Sequence, residues 1–408
     1  MSAWRMTWHG LRTVTQLELR QRVRSRRWFV ALAAWFVLLT LLTIAIVLAV
    51  ATSGTPGVNN GVISFGLATY LILGMSLVVA PTFTATAING DRSNGTLALL
   101  QASRLTAAEI AGGKLLAAWL TAGMFLLVSL PIVAWSLIAG AISVWLVVIC
   151  YAVMFAEVAV VCAIGLGWSA LIHRSAGSTV MTYLTVVTLA LLTPIFLALA
   201  LPFTEETRTV RVWALSPQVE DEYQRQLEEY WQANPDGDGR GQPAPPFGQC
   251  AWQTQERWEQ RIDRVWWLVV ANPFVIVADA APLPATARGD LAEYVSETSD
   301  PLTGLQLLVR QARAPLPTEY DECRWIYTQG PGYQVEYDRN GNVINVTTAE
   351  GTRVPVESPV TRPPVTTADP IWPWGLGFSA LLGGGFFWVA VRRLRVPYGK
   401  LASGTRVA

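Results

Sequence analysis

The feature that most constrains the fold of this chain is a set of six apolar runs, each long enough to cross a lipid bilayer. A bilayer core of about 30 Å needs about 20 consecutive apolar residues in a helix. Of the 408 residues, 52% are hydrophobic and only 14% are charged, which excludes a single soluble domain. We therefore expect a polytopic α-helical membrane protein with six transmembrane helices. The runs extend over Trp28 to Ala51, Val62 to Ile88, Leu115 to Ala139, Ile142 to Ile172, Gly177 to Phe203, and Ile371 to Val391.

The charges are segregated along the chain in a way that predicts its orientation. The segment from Phe203 to Ile371 holds 25 acidic residues and 14 Arg, whereas the rest of the chain holds 4 acidic and 16 basic residues. The basic residues outside that segment cluster before run 1, between runs 2 and 3, between runs 4 and 5, and after run 6. Because an even number of spans puts these clusters on one side, the positive-inside rule predicts that both termini are cytoplasmic. We expect residues 204–370 to form a domain outside the cytoplasm. The membrane that the chain spans is expected to be the plasma (inner) membrane of a prokaryote.

The N-terminal 27 residues are rich in Arg and precede the first run. Apolar residues at roughly helical spacing from Trp8 to Arg27 predict an amphipathic helix in the cytoplasmic interface, with its cations near lipid phosphates. The alternative is that these Arg residues only fix the orientation of the first span. A first run this long, with this much sequence before it, is not typical of a cleaved signal peptide.

The segment between runs 5 and 6 is predicted to form an α+β domain. We expect helices over Val219 to Gln232 and over Trp252 to Asp263, and a small antiparallel sheet around a hairpin at Asn340-Gly341. The run from Val265 to Ala281 is broken by Asn-Pro and is short for a span, so it is interpreted as an interfacial or re-entrant element. A seventh span is the competing interpretation, and it would place the C-terminus outside.

Three prolines inside the apolar runs predict helix kinks. Pro81, Pro131 and Pro194 each remove a backbone hydrogen-bond donor from a spanning helix. Proline is common in membrane helices, so we interpret these kinks as structural.

Two pairs of cysteines fall in different environments. Cys150 and Cys162 lie in run 4 and are expected to behave as small apolar residues. Cys250 and Cys323 lie in the predicted outer domain, where a disulfide would persist, and a bridge is favoured over two free thiols.

Glu157 is the one carboxylate inside the apolar part of a run. An intramembrane ionisable residue could contact a cationic substrate or relay a proton. The alternative, which we favour, is a protonated or hydrogen-bonded Glu that fastens two helices.

The sequence lacks the patterns that catalysis and nucleotide binding require. It has no HExxH, CxxC or GxSxG motif, and its two histidines, His9 and His173, are far apart in sequence. It also has no GxxxxGK[ST] phosphate loop. We therefore expect no catalytic residue, no metal site, no nucleic-acid partner and no enzymatic activity of the chain by itself. Any dependence on ATP must come from a partner.

The polar segment between runs 2 and 3, residues 89–114, is longer than a hairpin between spans needs. It predicts two short helices. The first begins near Ser93 to Gly95 and runs through TLALLQA; the second begins with a capping box, Thr106 with Glu109 three residues later.

This segment resembles the corresponding segment of the ABC-2 type permeases, the membrane subunits of ATP-binding-cassette exporters with the ABCG-like (type V) fold. In that family the segment is similar to E-x-x-x-G-T-L-x-x-L followed by S/T-x-x-E-I-x-x-G-K, and here it reads GDRSNGTLALLQASRLTAAEIAGGK. Asp91 stands where the family usually has Glu, and the family's usual Pro after the first helix is absent. The Arg-rich stretch LELRQRVRSRRWF resembles the family's elbow helix, and Asn272 to Phe274 resembles its NPF motif.

The resemblance implies two copies of a cytoplasmic ATPase subunit, which would bind ATP and Mg, and a second permease chain. It implies a two-chain pathway for a hydrophobic or amphipathic substrate, with residues 95–102 as the coupling helix. Apolar Leu97, Leu99 and Leu100 would then pack on the ATPase, although they could instead fold back on the bundle. The alternative function is a membrane-anchored receptor or assembly protein that acts through its acidic outer domain. The expected ATPase-coupling residues are Asp91, Arg92, Gly95, Thr96, Leu97, Leu99, Leu100, Arg104, Thr106, Glu109 and Lys114.

Overall fold

The structure is a computed structural model. It describes residues 4–52, 60–102, 105–138, 142–235, 243, 246, 249–283, 300–314, 316–323, 334–337, 343–347, 353–355 and 369–395. Within this part of the chain, six helices are long and apolar enough to cross a membrane. The chain thus has the architecture of a polytopic helical membrane protein, as the sequence predicts. The six candidate spans are Trp28–Ala49, Gly61–Phe83, Ala107–Ala134, Val144–Leu171, Ser175–Thr204 and Trp372–Leu394.

The helices carry the labels α1 to α13 in chain order. The first seven are α1 Trp8–Val23, α2 Arg26–Thr52, α3 Asn60–Val79, α4 Asn89–Ser93, α5 Thr96–Ala102, α6 Ala107–Ile138 and α7 Val144–Leu171. The others are α8 Ser175–Val187, α9 Thr193–Ala200, α10 Pro217–Ala233, α11 Pro273–Ala280, α12 Pro301–Arg313 and α13 Trp372–Leu394. The spans are therefore α2, α3, α6, α7, the α8–α9 pair and α13.

Helix α7 lies at the centre of the bundle, and it packs most closely on α13. Glycines permit this approach: a Cβ on Gly167 would lie 2.5 Å from a ring carbon of Phe386 on α13. Farther along, Gly383 of α13 faces Val160 of α7. Small residues let helix backbones come close, which is the main source of packing between helices in lipid. We call this α7–α13 contact the central seam.

The fifth span is broken near its middle. A π-helical turn, Thr188–Leu192, separates α8 from α9, and Pro194 follows it. Pro194 has no N–H to donate to the carbonyl of Ala190, four residues earlier. The side chain of Asn272 donates to that carbonyl instead, with its Nδ2 at 2.9 Å from the oxygen. The kink predicted at Pro194 is thus a gap in the backbone hydrogen bonds that a distant residue fills.

The segment between α9 and α13 contains six described strands. They are β1 Glu205–Leu215, β2 Cys250–Gln260, β3 Glu319–Asp321, β4 Gln334–Tyr337, β5 Val343–Thr347 and β6 Arg353–Pro355. They form two three-stranded sheets, one in the order β2-β1-β3 and one in the order β4-β5-β6. The predicted turn at Asn340-Gly341 lies outside the described residues, but the strands on either side of it pair antiparallel.

The helix predicted over Trp252 to Asp263 is wrong. Residues 250–260 form strand β2, which pairs antiparallel with β1 along its whole length. The charged composition of this stretch favours a helix, but the eleven-residue pairing with β1 satisfies the backbone of both strands and overrides the local preference. A disulfide between Cys250 and Cys323 joins the start of β2 to the residues that follow β3, with the Cα atoms 6.4 Å apart.

The run from Val265 to Ala281 does not form a seventh span. It contains a short 3₁₀ turn, Trp266–Val269, and the eight-residue helix α11, most of which is buried. Asp279 of α11 accepts a hydrogen bond from Arg310 Nε of α12 at 2.8 Å. It also accepts from the backbone N–H groups of Ile371 and Trp372 at 2.6 and 2.9 Å. Asp279 therefore joins α11, α12 and the first turn of the last span.

Candidate functional site

The 89–114 segment lies at the end of the bundle that also carries α1, which we call the basic end. Helix α5 covers the sequence TLALLQA, where the first short helix is predicted, and α6 begins directly after Thr106. Gly95 separates α4 from α5 with a φ of 72°, a left-handed conformation that favours glycine. No heavy atom lies within 4 Å of the position of a Gly95 Cβ. The reversal at Gly95 leaves residues 93–96 exposed at the tip of the segment.

Lys114 fastens this segment to the N-terminal helix. Its Nζ lies 2.5 Å from Glu18 Oε1 of α1 and 2.5 Å from Asp91 Oδ2 of α4. The Lys114 side chain is only 2% exposed, so both contacts are weakly screened by water. The buried cation of Lys114 thus joins α1, α4 and the third span. Asp91 and Lys114 are predicted site residues, whereas Glu18 is not.

Glu109 forms the predicted capping box and also holds the start of α1. Its Oε2 accepts from Thr106 N at 2.8 Å, and its own N–H donates to Thr106 Oγ1 at 3.2 Å. Its Oε1 accepts from the backbone N–H and hydroxyl of Thr7 at 2.9 and 2.5 Å. Since Thr7 is the N-cap of α1, the single carboxylate of Glu109 serves two helix starts.

Close backbone packing accompanies these contacts. A Cβ on Gly10 would lie 2.5 Å from the carboxylate carbon of Glu109, and a Cβ on Gly113 would lie 2.5 Å from Cβ of Val14. Helix α1 therefore lies so close to α6 that a side chain does not fit at either Gly10 or Gly113. Along α1, the residues on this face are buried, whereas Arg12, Arg20 and Arg24 are exposed.

Side chains at the end of the fourth span hold the other side of the segment. Ser169 Oγ accepts from the backbone N–H groups of Ile88 and Asn89 at 2.9 and 3.2 Å. Asn89 Nδ2 donates to the Ile172 carbonyl at 3.2 Å. Arg92 Nη1 lies 2.8 Å from Nδ1 of His173 in the connection between the fourth and fifth spans.

Leu97 does not face outward, which corrects the expectation that it packs on a partner. Its side chain is 2% exposed and belongs to a buried cluster that also includes Ile88, Ala108, Leu166 and Leu394. Leu100 is partly buried against the same cluster. Leu97 and Leu100 of α5 therefore cover the ends of the fourth and sixth spans, and the burial of Leu97 needs no partner. Gln101 Nε2 adds a hydrogen bond of 3.1 Å to the carbonyl of Leu394, the last residue of α13.

The predicted coupling residues thus separate into two groups. Asp91, Glu109 and Lys114 are joined in the contacts between α1, α4 and α6, whereas Gly95 and Thr96 are exposed at the tip. Arg104 and the side chain of Leu99 lie outside the described residues. Sequence reasoning missed Glu18, Ser169 and Gln101. For Glu18 a signal exists, because it is the one acidic residue among the first 27.

Glu157 lies away from this site, in the middle of α7. It is buried with 3% exposure, and its Oε1 has no hydrogen-bond partner among the described residues. Ser379 of α13 lies beside the carboxyl group. Glu157 thus lies at the central seam, next to the last span.

Within the described residues, no group of three or more His, Cys, Asp or Glu side chains is arranged to hold a metal ion. At the basic end, ion pairs and capping hydrogen bonds connect one small exposed tip to the ends of several membrane helices. The chain matches no model of a known protein family, and no curated protein matches its sequence.

Proposed function

We propose that this chain is the membrane-spanning permease subunit of an ATP-binding-cassette exporter. Two such chains would form the translocation pathway, and two copies of a cytoplasmic ATPase subunit would bind ATP and Mg and dock at the basic end. In this assignment both termini are cytoplasmic, α1 is the elbow helix in the membrane interface, and residues 204–370 form the domain outside. The substrate class is hydrophobic or amphipathic, in keeping with spans that carry few charges.

The observation that carries the proposal is that the tip at residues 93–96 is exposed, whereas Asp91, Leu97 and Gln101 on either side of it contact the bundle. The tip stands on α4 and α5, and these two helices contact α1 and the third span through Lys114. They contact the fourth span through Ser169 and the last span through Gln101. A force on the tip would therefore be transmitted to several spans together.

This arrangement fits the requirements of a remotely driven transporter. A partner that moves during its own ATP cycle needs a contact surface that does not deform when it is pushed. The ion pairs of Lys114 and the double capping by Glu109 make the 89–114 segment stiff, and the buried Leu97 prevents α5 from lifting away. In this proposal the docking surface is the polar tip, Ser93 to Thr96, and α5 supports it on the side of the bundle.

The test compares two substitutions of the same kind at opposite ends of the bundle. Thr96 lies at the exposed tip, and Thr209 is exposed on β1 at the other end. The chain is co-expressed with an ATPase subunit from the same genome and purified as a complex. We expect Thr96→Arg to lower co-purification of the ATPase, and to lower the ATP hydrolysis of the reconstituted complex at least tenfold. Thr209→Arg should leave both unchanged.

The proposal is wrong if no ATPase subunit co-purifies with the wild-type chain, or if the two Thr→Arg variants behave alike. The alternative, a membrane-anchored receptor or assembly protein, predicts the reverse pattern, in which variants on the β1–β2 ribbon alter function and tip variants do not.

A further inference from the structure

Glu157 is buried in the middle of a spanning helix. It lies near the midpoint of α7, a helix of 28 residues, and so about 20 Å from either end at 1.5 Å per residue. The residue is 3% exposed, and neighbours on the same helix, including Met154, Val158 and Val161, are buried with it. An ionised carboxylate at such a depth loses the hydration that stabilises its charge.

Among the described residues, no cation is placed beside this carboxyl group. Across the six candidate spans the sequence contains three basic residues: Lys114, Arg392 and Arg393. Lys114 is already bound to Glu18 and Asp91 at the basic end, and the two arginines stand in the last turn of α13.

The other ionisable groups on the helices around α7 are also placed away from the carboxyl group or are occupied. Asp279 on α11 is paired with Arg310, and Tyr151 on α7 shares a hydrogen bond with Ser129 on α6. Glu109 on α6 is bound to Thr7 and Thr106 at the basic end. Four neutral groups also lie on these helices: Tyr70 on α3, Tyr183 on α8, and Cys150 and Cys162 on α7. Asp300, at the start of α12, lies near Cys150 and is an acid. Arg22 of α1 lies near Cys162, five residues along α7 from Glu157 toward the basic end, and it is paired with Glu18 at 3.6 Å and donates to the Phe83 carbonyl.

The polar surroundings of Glu157 favour the protonated form of its carboxyl group. Ser379 of α13 lies beside the carboxyl group, whereas Oε1 has no hydrogen-bond partner among the described residues. A carboxylate needs several hydrogen-bond donors around its two oxygens, whereas a neutral carboxyl needs fewer and carries a donor of its own. A buried carboxyl group with one neighbouring hydroxyl and one unpartnered oxygen suits the protonated acid better than the anion.

We propose that Glu157 is a membrane-embedded proton-binding site in the central seam, occupied while α7 and α13 are in contact. The bound proton keeps the carboxyl group neutral and lets it remain buried beside Ser379. If the seam opens to water, the carboxyl group is hydrated and releases its proton, so separation of α7 from α13 is coupled to proton release. This inference concerns α7 and α13 alone and does not depend on an ATPase partner.

The direct test is infrared spectroscopy of the full-length protein in lipid vesicles at neutral pH. The carbonyl stretch of a protonated carboxylic acid is distinct from the bands of a carboxylate. We expect the difference between wild type and Glu157→Gln to contain one protonated-acid band, which persists at pH 7. A carboxylate band in that difference at pH 7 would overturn the proposal.

A second test uses the wild-type chain and therefore does not depend on how the variant folds. A hydrophobic carbodiimide adds the O–H of a buried protonated carboxyl across its C=N bond to give an O-acylisourea, which rearranges to a stable N-acylurea without a leaving group. We expect one adduct, located by peptide mass mapping at Glu157, and none at Glu109 or Asp91. Labelling at those two residues but not at Glu157 would contradict a protonated Glu157.

Discussion

The side-chain amide of Asn272 donates a 2.9 Å hydrogen bond to the carbonyl of Ala190, the group that Pro194 leaves without a backbone donor. The same amide donates to Thr193 Oγ1 at 2.9 Å, and its oxygen accepts from the backbone N–H of Phe274 at 2.9 Å. Asn272 thus completes the broken fifth span and caps α11. The Asn-Pro-Phe stretch, interpreted from sequence as a break in an apolar run, is the joint between two elements.

The first prediction concerns this joint. Asn272→Ala leaves the Ala190 carbonyl unpaired in a buried site and removes a helix cap, so we expect a loss of about 2 kcal/mol in the free energy of unfolding. In the background of Pro194→Ala the restored N–H can bond Ala190, and the cost of Asn272→Ala should fall. Thermal unfolding of the four purified proteins gives the coupling energy. Equal costs in both backgrounds would rule out the pairing.

The second prediction concerns Lys114. Lys114→Met leaves Glu18 and Asp91 as neighbouring anions, and we expect a destabilisation of about 3 kcal/mol because one partner of a buried ion cluster is removed. Replacing all three residues, with Glu18→Gln and Asp91→Asn added, should recover part of the loss, because the two anions no longer face each other. The recovery is partial because Arg22 loses its 3.6 Å ion pair with Glu18. Arg12→Met, on the exposed face of α1, serves as the control. The idea fails if the triple variant is less stable than Lys114→Met.

The third prediction concerns the start of the last span. A Cβ on Gly375 would lie 2.5 Å from the Val270 carbonyl oxygen, whereas no heavy atom lies within 4 Å of a Cβ on Gly377. Gly375→Ala should cost about 2 kcal/mol through overpacking, while Gly377→Ala should be neutral or slightly stabilising. Melting temperatures of the two variants decide this. Similar shifts for both would show that α13 does not lie against the Val270 carbonyl.

The fourth prediction uses two aspartates whose pKa values move in opposite directions. Burial raises the pKa of Asp300 above its usual value, while the hydrogen bond from Arg261 lowers the pKa of Asp263. The stability that Asp300 contributes is present below its unfolded pKa and is lost as the pH rises through its folded pKa. The stability that Asp263 contributes is present above its unfolded pKa and is lost as the pH falls through its folded pKa.

The melting temperature of Asp300→Asn, relative to that of wild type, should therefore increase as the pH rises from 4 to 7, because Asn keeps the cap of α12 and carries no charge. The melting temperature of Asp263→Asn, relative to that of wild type, should instead fall as the pH rises through the acidic range up to about 4, and it should change little above about 5, where Asp263 is ionised in both states. Melting temperatures at several pH values in these two windows give the two slopes. Slopes of the same sign would contradict the assigned environments.

The fifth prediction concerns the disulfide and the side of the membrane on which it lies. Cys250 and Cys323 are 73 residues apart, and opening a loop of that length should destabilise the segment between the fifth and sixth spans by about 4 kcal/mol. A membrane-impermeant maleimide should label both residues on intact cells only after reduction. The buried thiols of Cys150 and Cys162 should stay unlabelled. Labelling only in inverted vesicles would reverse the proposed orientation.

Local sequence patterns were enough to predict the structural features that depend on residues close together in the sequence. The Thr106–Glu109 capping box and the helix over TLALLQA are formed by residues three or four apart, and both are present. The stretch over residues 252–263 is different, since its strand conformation depends on pairing with β1, some 45 residues earlier. Its charged residues suit the exposed face of a two-stranded ribbon as well as they suit a helix, so composition could not separate the two.

The contacts of the candidate site follow the same division. The prediction that Asp91, Glu109 and Lys114 belong to the site rests on their sequence pattern, but Glu18 and Thr7, the partners of Lys114 and Glu109, lie about a hundred residues away in α1 and its cap. The outward or inward direction of Leu97 was open in the sequence, because an apolar residue in a polar segment can cover its own bundle or a partner. Its burial is decided by the ends of the fourth and sixth spans, which meet beneath α5.

The sequence by itself determined that the chain has six membrane-length helices, because the length and polarity of each run are local properties set by the thickness of the bilayer core. It also determined that the acidic segment and the basic clusters are separated by spans. Only the tertiary structure decided which polar groups satisfy one another. Asn272 with Ala190, Lys114 with Glu18, and the unpartnered oxygen of Glu157 all arise where distant segments meet. In an apolar medium each buried polar group must find such a partner or lose its charge, and no local pattern specifies which it does.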